Sequence, residues 1–249
     1  MLDHDQLIAA EAEALARAAE GTDPAAAVPG TDWTLADLLD HVGRLTWFWS
    51  GRIRKAGGGD FYDTDRPAGV TREDWLRQGT DTMRVQLREA EPDAEIKTWA
   101  GLKPPSWLWR RMTHELAVHC RDAQAAAGDA LPLAVPVADD GIDELLSEFT
   151  PAADLASVAG TLHLHATDGD GEWFIDPTGD ALSWERSHTK ADVAVRGTTS
   201  DLLLVLWGRL PVDVVELLGD ESVFERWRMA TRFLTARCRS SAQVDLGGD

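Results

Sequence analysis

The 249-residue sequence is short of cysteine and of positive charge, and each shortage excludes something. Two cysteines, Cys120 and Cys238, cannot build a disulfide framework, so the chain reads as cytoplasmic. Twenty-four Lys and Arg stand against 43 Asp and Glu, a net charge of −19. Phosphate backbones and anionic lipid surfaces both attract basic patches, so nucleic acid and membrane are disfavoured as partners. A small acidic substrate is not, because a local cationic pocket can sit inside an acidic protein. No apolar run reaches the ~18 residues of a membrane span. The opening Met1-Leu2-Asp3-His4-Asp5 lacks the basic start and apolar core of a signal peptide. Glycine-rich phosphate motifs, G-x-S-x-G elbows and nucleic-acid signatures are also missing. What is present, 44% hydrophobic and 27% charged residues, is a globular composition sufficient for one large domain or two ordinary ones.

The two halves follow different periods. Residues 1–131 read as a four-helix bundle. A first helix covers about 3–20 and stops at Gly21. Thr34 caps a second, with Leu35, Leu38, Val42, Leu45 and Trp49 at helical spacing. A third runs from Thr71 to about Glu89, with Asp74 placed for a capping box. Pro104-Pro105 is expected to block helix, and Ser106 to cap a fourth that runs to Gly128. The segment 131–136 reads as a linker, followed by a helix around Ile142–Phe149. From Gly160 the period becomes two, and strands are expected at 162–167, 172–176, 181–186 and 191–197 in an antiparallel sheet, with a turn at 168–171. Helices return at Thr199–Trp207 and Glu221–Ala236, the latter with Phe224, Trp227 and Leu234 on one stripe. The expected fold is therefore α+β: a metal-binding helical bundle over 1–131, then a smaller α+β domain over 137–249.

The fourth helix carries the chemistry. His114 and His119 point roughly 140° apart on a helix and cannot share one ligand. Glu115 and His119, four residues apart, lie on one face, which Leu108 and Met112 continue. On the second helix His41 sits between Leu38 and Leu45, beside the apolar stripe. Facing helices of a bundle can converge such side chains, and His, Glu and His are the three ligands of an open metal site. Asp37, one turn before His41, is placed to orient it. Another reading stays open: Arg111 and Glu115 could be a surface ion pair, with His119 satisfied in the core. Cys120 is turned about 100° from His119 and reads as structural. His163 and His165 share a strand face and could chelate, but a polar outer face is the preferred reading. Asp168-Gly169-Asp170-Gly171 fails as a calcium loop because glycine comes too early.

The stretch Asp32-Trp33-Thr34-Leu35-Ala36-Asp37-Leu38-Leu39-Asp40-His41 resembles the opening of the mycothiol-dependent maleylpyruvate isomerase family, a branch of the DinB-like bundles. So does Glu115-Leu116-Ala117-Val118-His119-Cys120-Arg121-Asp122. In the second half, His163-Leu164-His165-Ala166-Thr167-Asp168, Gly171-Glu172-Trp173 and the run from Ser200 to Arg209 are similar to the family's sterol-carrier-like domain. The resemblance spans nearly the whole chain, in order. It implies a divalent metal, zinc first, on His41, Glu115 and His119, and mycothiol as thiol cosubstrate. It further implies cis–trans isomerisation, or thiol transfer, on a small electrophilic acid. Arg209 is the candidate cation for the substrate carboxylate, since a guanidinium matches it bidentately; the alternative is a solvated Arg after the helix-ending Gly208. A monomer is expected. Two other functional readings remain: a metal-dependent hydrolase without a thiol, and a ligand-binding module without turnover. His and Glu also accept nickel or iron.

Overall fold

The computed structural model describes residues 2–155, 157–179 and 182–240, with side chains as far as residue 232 apart from that of Ala152. The chain divides into two compact units, Met1–Leu131 and Pro132–Asp249. Among the described residues no helix is long and apolar enough to cross a membrane.

The first unit holds α1 (His4–Ala19), α2 (Leu35–Ala56), α3 (Arg72–Glu89) and α4 (Pro105–Ala127). Thr34 caps α2 as expected: its hydroxyl accepts from Asp37 N, while Asp37 Oδ2 accepts from Thr34 N at 2.9 Å, so two amides that the helix leaves without partners are satisfied reciprocally. The loop before it is closed by a bridge between Ala27 and Thr34 and by Val28 N donating to the Trp33 carbonyl. At α3 only half of the expected box forms. Thr71 accepts from Asp74 N, whereas the Asp74 carboxylate faces Arg77 at 3.6 Å.

The start of α4 corrects the sequence reading. Pro105 is its first residue, Pro104 is the cap, and Ser106 lies inside. Proline lacks an N–H that the first turn would leave without a partner anyway, and its φ is already helical, so it opens a helix rather than blocking it. Just before α4, a short hairpin of β1 (Ile96–Thr98) and β2 (Gly101–Lys103) was not expected; three-residue strands are too short to show a period.

In this unit α1 packs on α4 and α2 on α3. Ile8, Leu15, Leu38, Val42, Leu76, Met83, Leu108, Met112 and Leu116 are sealed in the shared core. Close approach of α2 and α3 requires two glycines: a Cβ on Gly43 would run into the Trp75 ring, and one on Gly79 into the Thr46 hydroxyl.

The second unit begins with α5 (Val135–Glu144), which starts ahead of the expected Ile142 because Pro136 fits its first turn. It ends in a π-turn over Leu145–Phe149. A five-stranded sheet follows, built from β3 (Leu162–Ala166), β4 (Glu172–Asp176), β5 (Ser183–Glu185), β6 (Val193–Gly197) and β7 (Glu216–Gly219) in the order β5-β4-β3-β6-β7. Three of its pairings are antiparallel, and the central β3–β6 pair is parallel. The edge strand β7 was not expected, being exposed and without alternation. Leu162, Leu164, Trp173, Ile175, Val193 and Val195 form the buried face. Arg186 spans Asp139 and Asp143 with its guanidinium 4.6 Å from the Trp173 ring centre, and Trp173 Nε1 donates to Asp143 at 2.8 Å, so β4 and α5 are tied together. Two helices complete the unit, α6 (Thr199–Leu206) and α7 (Glu221–Ser240). Phe224 and Trp227 of α7 are buried; the Leu234 and Cys238 side chains lie outside the described residues.

Candidate metal centre

His41, Glu115 and His119 come together. His41 Nε2 lies 3.4 Å and His119 Nε2 3.2 Å from the same carboxylate oxygen, Glu115 Oε1. The three donor atoms all lie within 4.8 Å of one another. Helix geometry does most of this. Glu115 and His119 stack one turn apart on α4, and His41 reaches them from two turns inside α2. The Trp33 ring covers the pair, with its centre 4.8 Å from that of His41 and 5.9 Å from that of His119. The capped loop before α2 fixes it there.

Two of the three side chains are held by a further partner. His119 Nδ1 hydrogen-bonds Asp122 Oδ2 at 3.0 Å, which turns Nε2 toward the centre. A carboxylate behind a ligating imidazole is the usual way to set tautomer and orientation. Glu115 Oε2 accepts from Arg111 Nη2 at 2.7 Å, leaving Oε1 for the imidazoles. Burial raises the pKa of Glu115, but Arg111 and the imidazoles of His119 and His41 outweigh it and hold the carboxyl well below its usual range. Burial likewise lowers that of His119, and Asp122 and Glu115 overcome it, so the imidazole pKa is raised.

Two sequence expectations need correction. Asp37 does not orient His41, because its carboxylate is taken by the Thr34 cap at 2.6 and 2.9 Å. The orienting carboxylate in this centre is Asp122, on the other imidazole. Nor is the Arg111–Glu115 pair an alternative to convergence at the surface: Arg111 is 4% exposed, and the pair coexists with the imidazole contacts on the opposite oxygen. His114 is buried elsewhere on α4 and outside the cluster, as its angle requires.

The residues fit a divalent ion. A neutral imidazole nitrogen, a second one and an ionised carboxylate form a donor set typical of a three-ligand site with a further position open. Cys120, next to His119, does not join it. It is buried, Gln124 Nε2 approaches its sulfur at 3.5 Å, and burial together with the neighbouring Glu11 carboxylate pushes the thiol pKa far up. Arg209, in the second unit, is 4% exposed rather than solvated, and its Nη1 donates to the Trp207 carbonyl at 3.2 Å.

Comparison with known proteins bears on the family and the fold. Residues 6–124 match the model of the mycothiol maleylpyruvate isomerase N-terminal domain, and residues 134–226 that of the same family's C-terminal domain. No curated protein matches significantly. Among solved structures, the mycothiol-dependent maleylpyruvate isomerase superposes with a TM-score of 0.59 at 16% identity, over 86% of this chain and 91% of that one. A mutant of it gives 0.61 at 14% identity with the same coverage. At such identity the structures speak for the fold, and the two domain matches speak for descent: the chain belongs to the mycothiol-dependent maleylpyruvate isomerase family.

Proposed function

We propose that this chain works in the cytoplasm as a monomeric, mycothiol-dependent enzyme that isomerises, or transfers a thiol to, a small electrophilic acid. The observation that carries the reading is the convergence of His41 Nε2, Glu115 Oε1 and His119 Nε2 beside a cysteine too buried to act. His41, Glu115 and His119 would hold a divalent ion, zinc first on donor chemistry, although nickel and iron accept the same set. When bound, it would supply Lewis-acid stabilisation of a thiolate at neutral pH, where a thiol of pKa ~8.5 is mostly protonated.

The chain's own residues have separate tasks. Arg111 keeps Glu115 ionised and takes one of its oxygens, Asp122 fixes the His119 ring, and Trp33 walls the imidazoles. Arg209 is the proposed contact for the substrate carboxylate, its planar fork matching the two oxygens. The reaction balances without redox chemistry. Addition of a thiol sulfur to an activated double bond forms a C–S bond and leaves a single bond free to rotate. Elimination then restores the double bond in the trans isomer and releases the thiol. If the adduct is kept, the outcome is thiol transfer.

The test is elemental analysis of protein purified without chelators, paired with calorimetry of mycothiol binding in buffers of different ionisation enthalpy. One divalent ion per bundle centre, lost in His41→Ala and His119→Ala, and proton release on thiol binding are expected. Metal retained in full by both variants would sink the ligand assignment. No binding of mycothiol to metal-loaded protein, with no thiol effect on any activity, would hand the site to the hydrolase or pure-binding reading.

A further inference from the structure

The second unit contains another convergence of metal-ligating side chains, unconnected with the thiol chemistry. On β3, His163 and His165 are two residues apart and so project from one face of the sheet. The antiparallel register sets Glu172 of β4 directly opposite His165 and diagonal to His163, both within side-chain reach. Three residues beyond β5, His188 returns over the same spot. The result is three imidazoles around one carboxylate. His163 Nε2 lies 2.5 Å from Glu172 Oε2, while His165 Nδ1 and His188 Nδ1 lie 2.7 and 3.0 Å from Glu172 Oε1. The rings stand 5.0 to 6.0 Å apart, centre to centre. One donor atom from each of the four residues lies within 4.8 Å of all the others.

We propose that His163, His165, Glu172 and His188 bind a second divalent transition-metal ion, of the zinc class, as a closed four-ligand structural site. Sheet polarity alone does not explain the grouping. Among the described residues Glu172 pairs with no Lys or Arg, only with the three imidazoles. Five of the chain's seven histidines fall in this cluster and the bundle centre, two places that each join imidazoles to one carboxylate. A cation takes a lone pair from each imidazole and the carboxylate charge at once, which no other single partner can do. His163 is 6% exposed, so the strand is not simply turning a polar face to water.

The number of ligands separates the role from that of the bundle. Four protein donors fill a tetrahedral shell and leave no place for a substrate, so the ion acts as a staple. In such a shell donors stand about 3.3 Å apart. The cluster must therefore contract from its present span, and the His188 side chain, 75% exposed, has room to move and marks the way in. Closure would pin the segment after β5 onto β3 and β4.

The experiment uses full-length protein stripped of metal and titrated with Zn²⁺ alone, then with Co²⁺ as a spectroscopic probe. His165→Ala/His188→Ala removes two ligands that are not deeply buried, so the fold is retained. Glu172→Gln is a second, near-isosteric variant. His41→Ala/His119→Ala removes the bundle centre independently. Parent protein should keep two equivalents of zinc after desalting, and each double variant one; the quadruple variant should keep none. In His41→Ala/His119→Ala, Co²⁺ should give the intense visible absorption of a tetrahedral site, and Zn²⁺ should raise the melting temperature. Glu172→Gln in that background should abolish both. Zinc content unchanged between the parent and His165→Ala/His188→Ala overturns the proposal, whatever the bundle holds. So does a His41→Ala/His119→Ala protein that folds but keeps no zinc. Loss of one equivalent on His165→Ala/His188→Ala supports it even if the bundle centre proves empty, which keeps the two assignments separable.

Discussion

Replacing Asp122 is the sharpest test of how the bundle centre is built. Its carboxylate is fully buried, and it hydrogen-bonds His119 Nδ1 at 3.0 Å, where His119 itself is 1% exposed. Water does not screen the contact, so its charge bears fully on the imidazole. Loss of a carboxylate behind a ligating histidine costs about 10–100-fold in metal affinity, or about 1.4–2.7 kcal/mol. Asn keeps an acceptor oxygen and removes only the charge, so Asp122→Asn should fall near tenfold and Asp122→Ala near 100-fold. Competition with a chromogenic chelator measures affinity, and melting of the metal-free variants measures any separate loss of stability. Asp37→Ala is the control. It removes half of the Thr34 box and should cost ~1 kcal/mol of stability while leaving zinc affinity unchanged. If Asp122→Asn and Asp122→Ala both bind zinc within about twofold of the parent, the orienting role is wrong. If Asp37→Ala weakens binding as much as they do, Asp37 supports the centre as well, and the cap does not fully occupy it.

Three further outcomes follow from the first unit. Cys120→Ala should retain both metal and thiol-dependent turnover, at a stability cost of order 1 kcal/mol, and the folded parent should resist alkylation at Cys120; loss of turnover in a folded variant would make it a nucleophile. Asp5, on α1, pairs with Arg88 and Arg84 of α3, and those contacts, Arg88 foremost, lower its pKa from 3.8 against the opposing effect of burial. A folded pKa below the unfolded one means stabilisation that is complete above the unfolded value and fades as pH falls through the lowered one. Asp5→Asn should therefore melt lower than the parent at pH 7, with the gap closing in strong acid; a gap independent of pH refutes it. Gly43→Ala should lose roughly 1–3 kcal/mol by forcing the Trp75 ring aside, read as a drop in denaturation midpoint at unchanged m-value.

Much of the fold could be read from local signals, and the misses share a cause. α2 and α3 were expected from their Thr caps, and β3 and β4 from alternation around a Gly-rich turn, because each signal lies within a few residues of its effect. β7 and the β1–β2 hairpin had no such signal, since partners far away or a tight turn stabilise them more than their own pattern does. The parallel β3–β6 pair was hidden for the same reason. Strand direction depends on how the chain crosses from β5 at one edge to β6 beside β3, and that path leaves no mark in either strand. At Pro105 the signal was present but misread, because proline at a first helical position favours what it forbids further in.

The site repeats the lesson with more chemistry at stake. Glu115 and His119 share a face by helical period alone, so their pairing was accessible from spacing. That His41 would meet them needed facing helices, which the four-helix pattern allowed and the resemblance then favoured. The choice between Asp37 and Asp122 shows the limit most clearly. Each sits about one turn from a histidine, at positions four before and three after, and both spacings suit an orienting contact. What separates them is competition. Thr34 stands three residues before Asp37 with an unsatisfied helix-start amide to offer, and the box takes both the amide and the carboxylate. Asp122 lies deep inside α4, away from any helix start, and its carboxylate reaches His119. A sequence rule that first assigns acidic residues to caps, and only then to histidines, would have chosen Asp122. The same rule leaves Glu172 available to His163, His165 and His188, because it lies on a strand with no helix to cap.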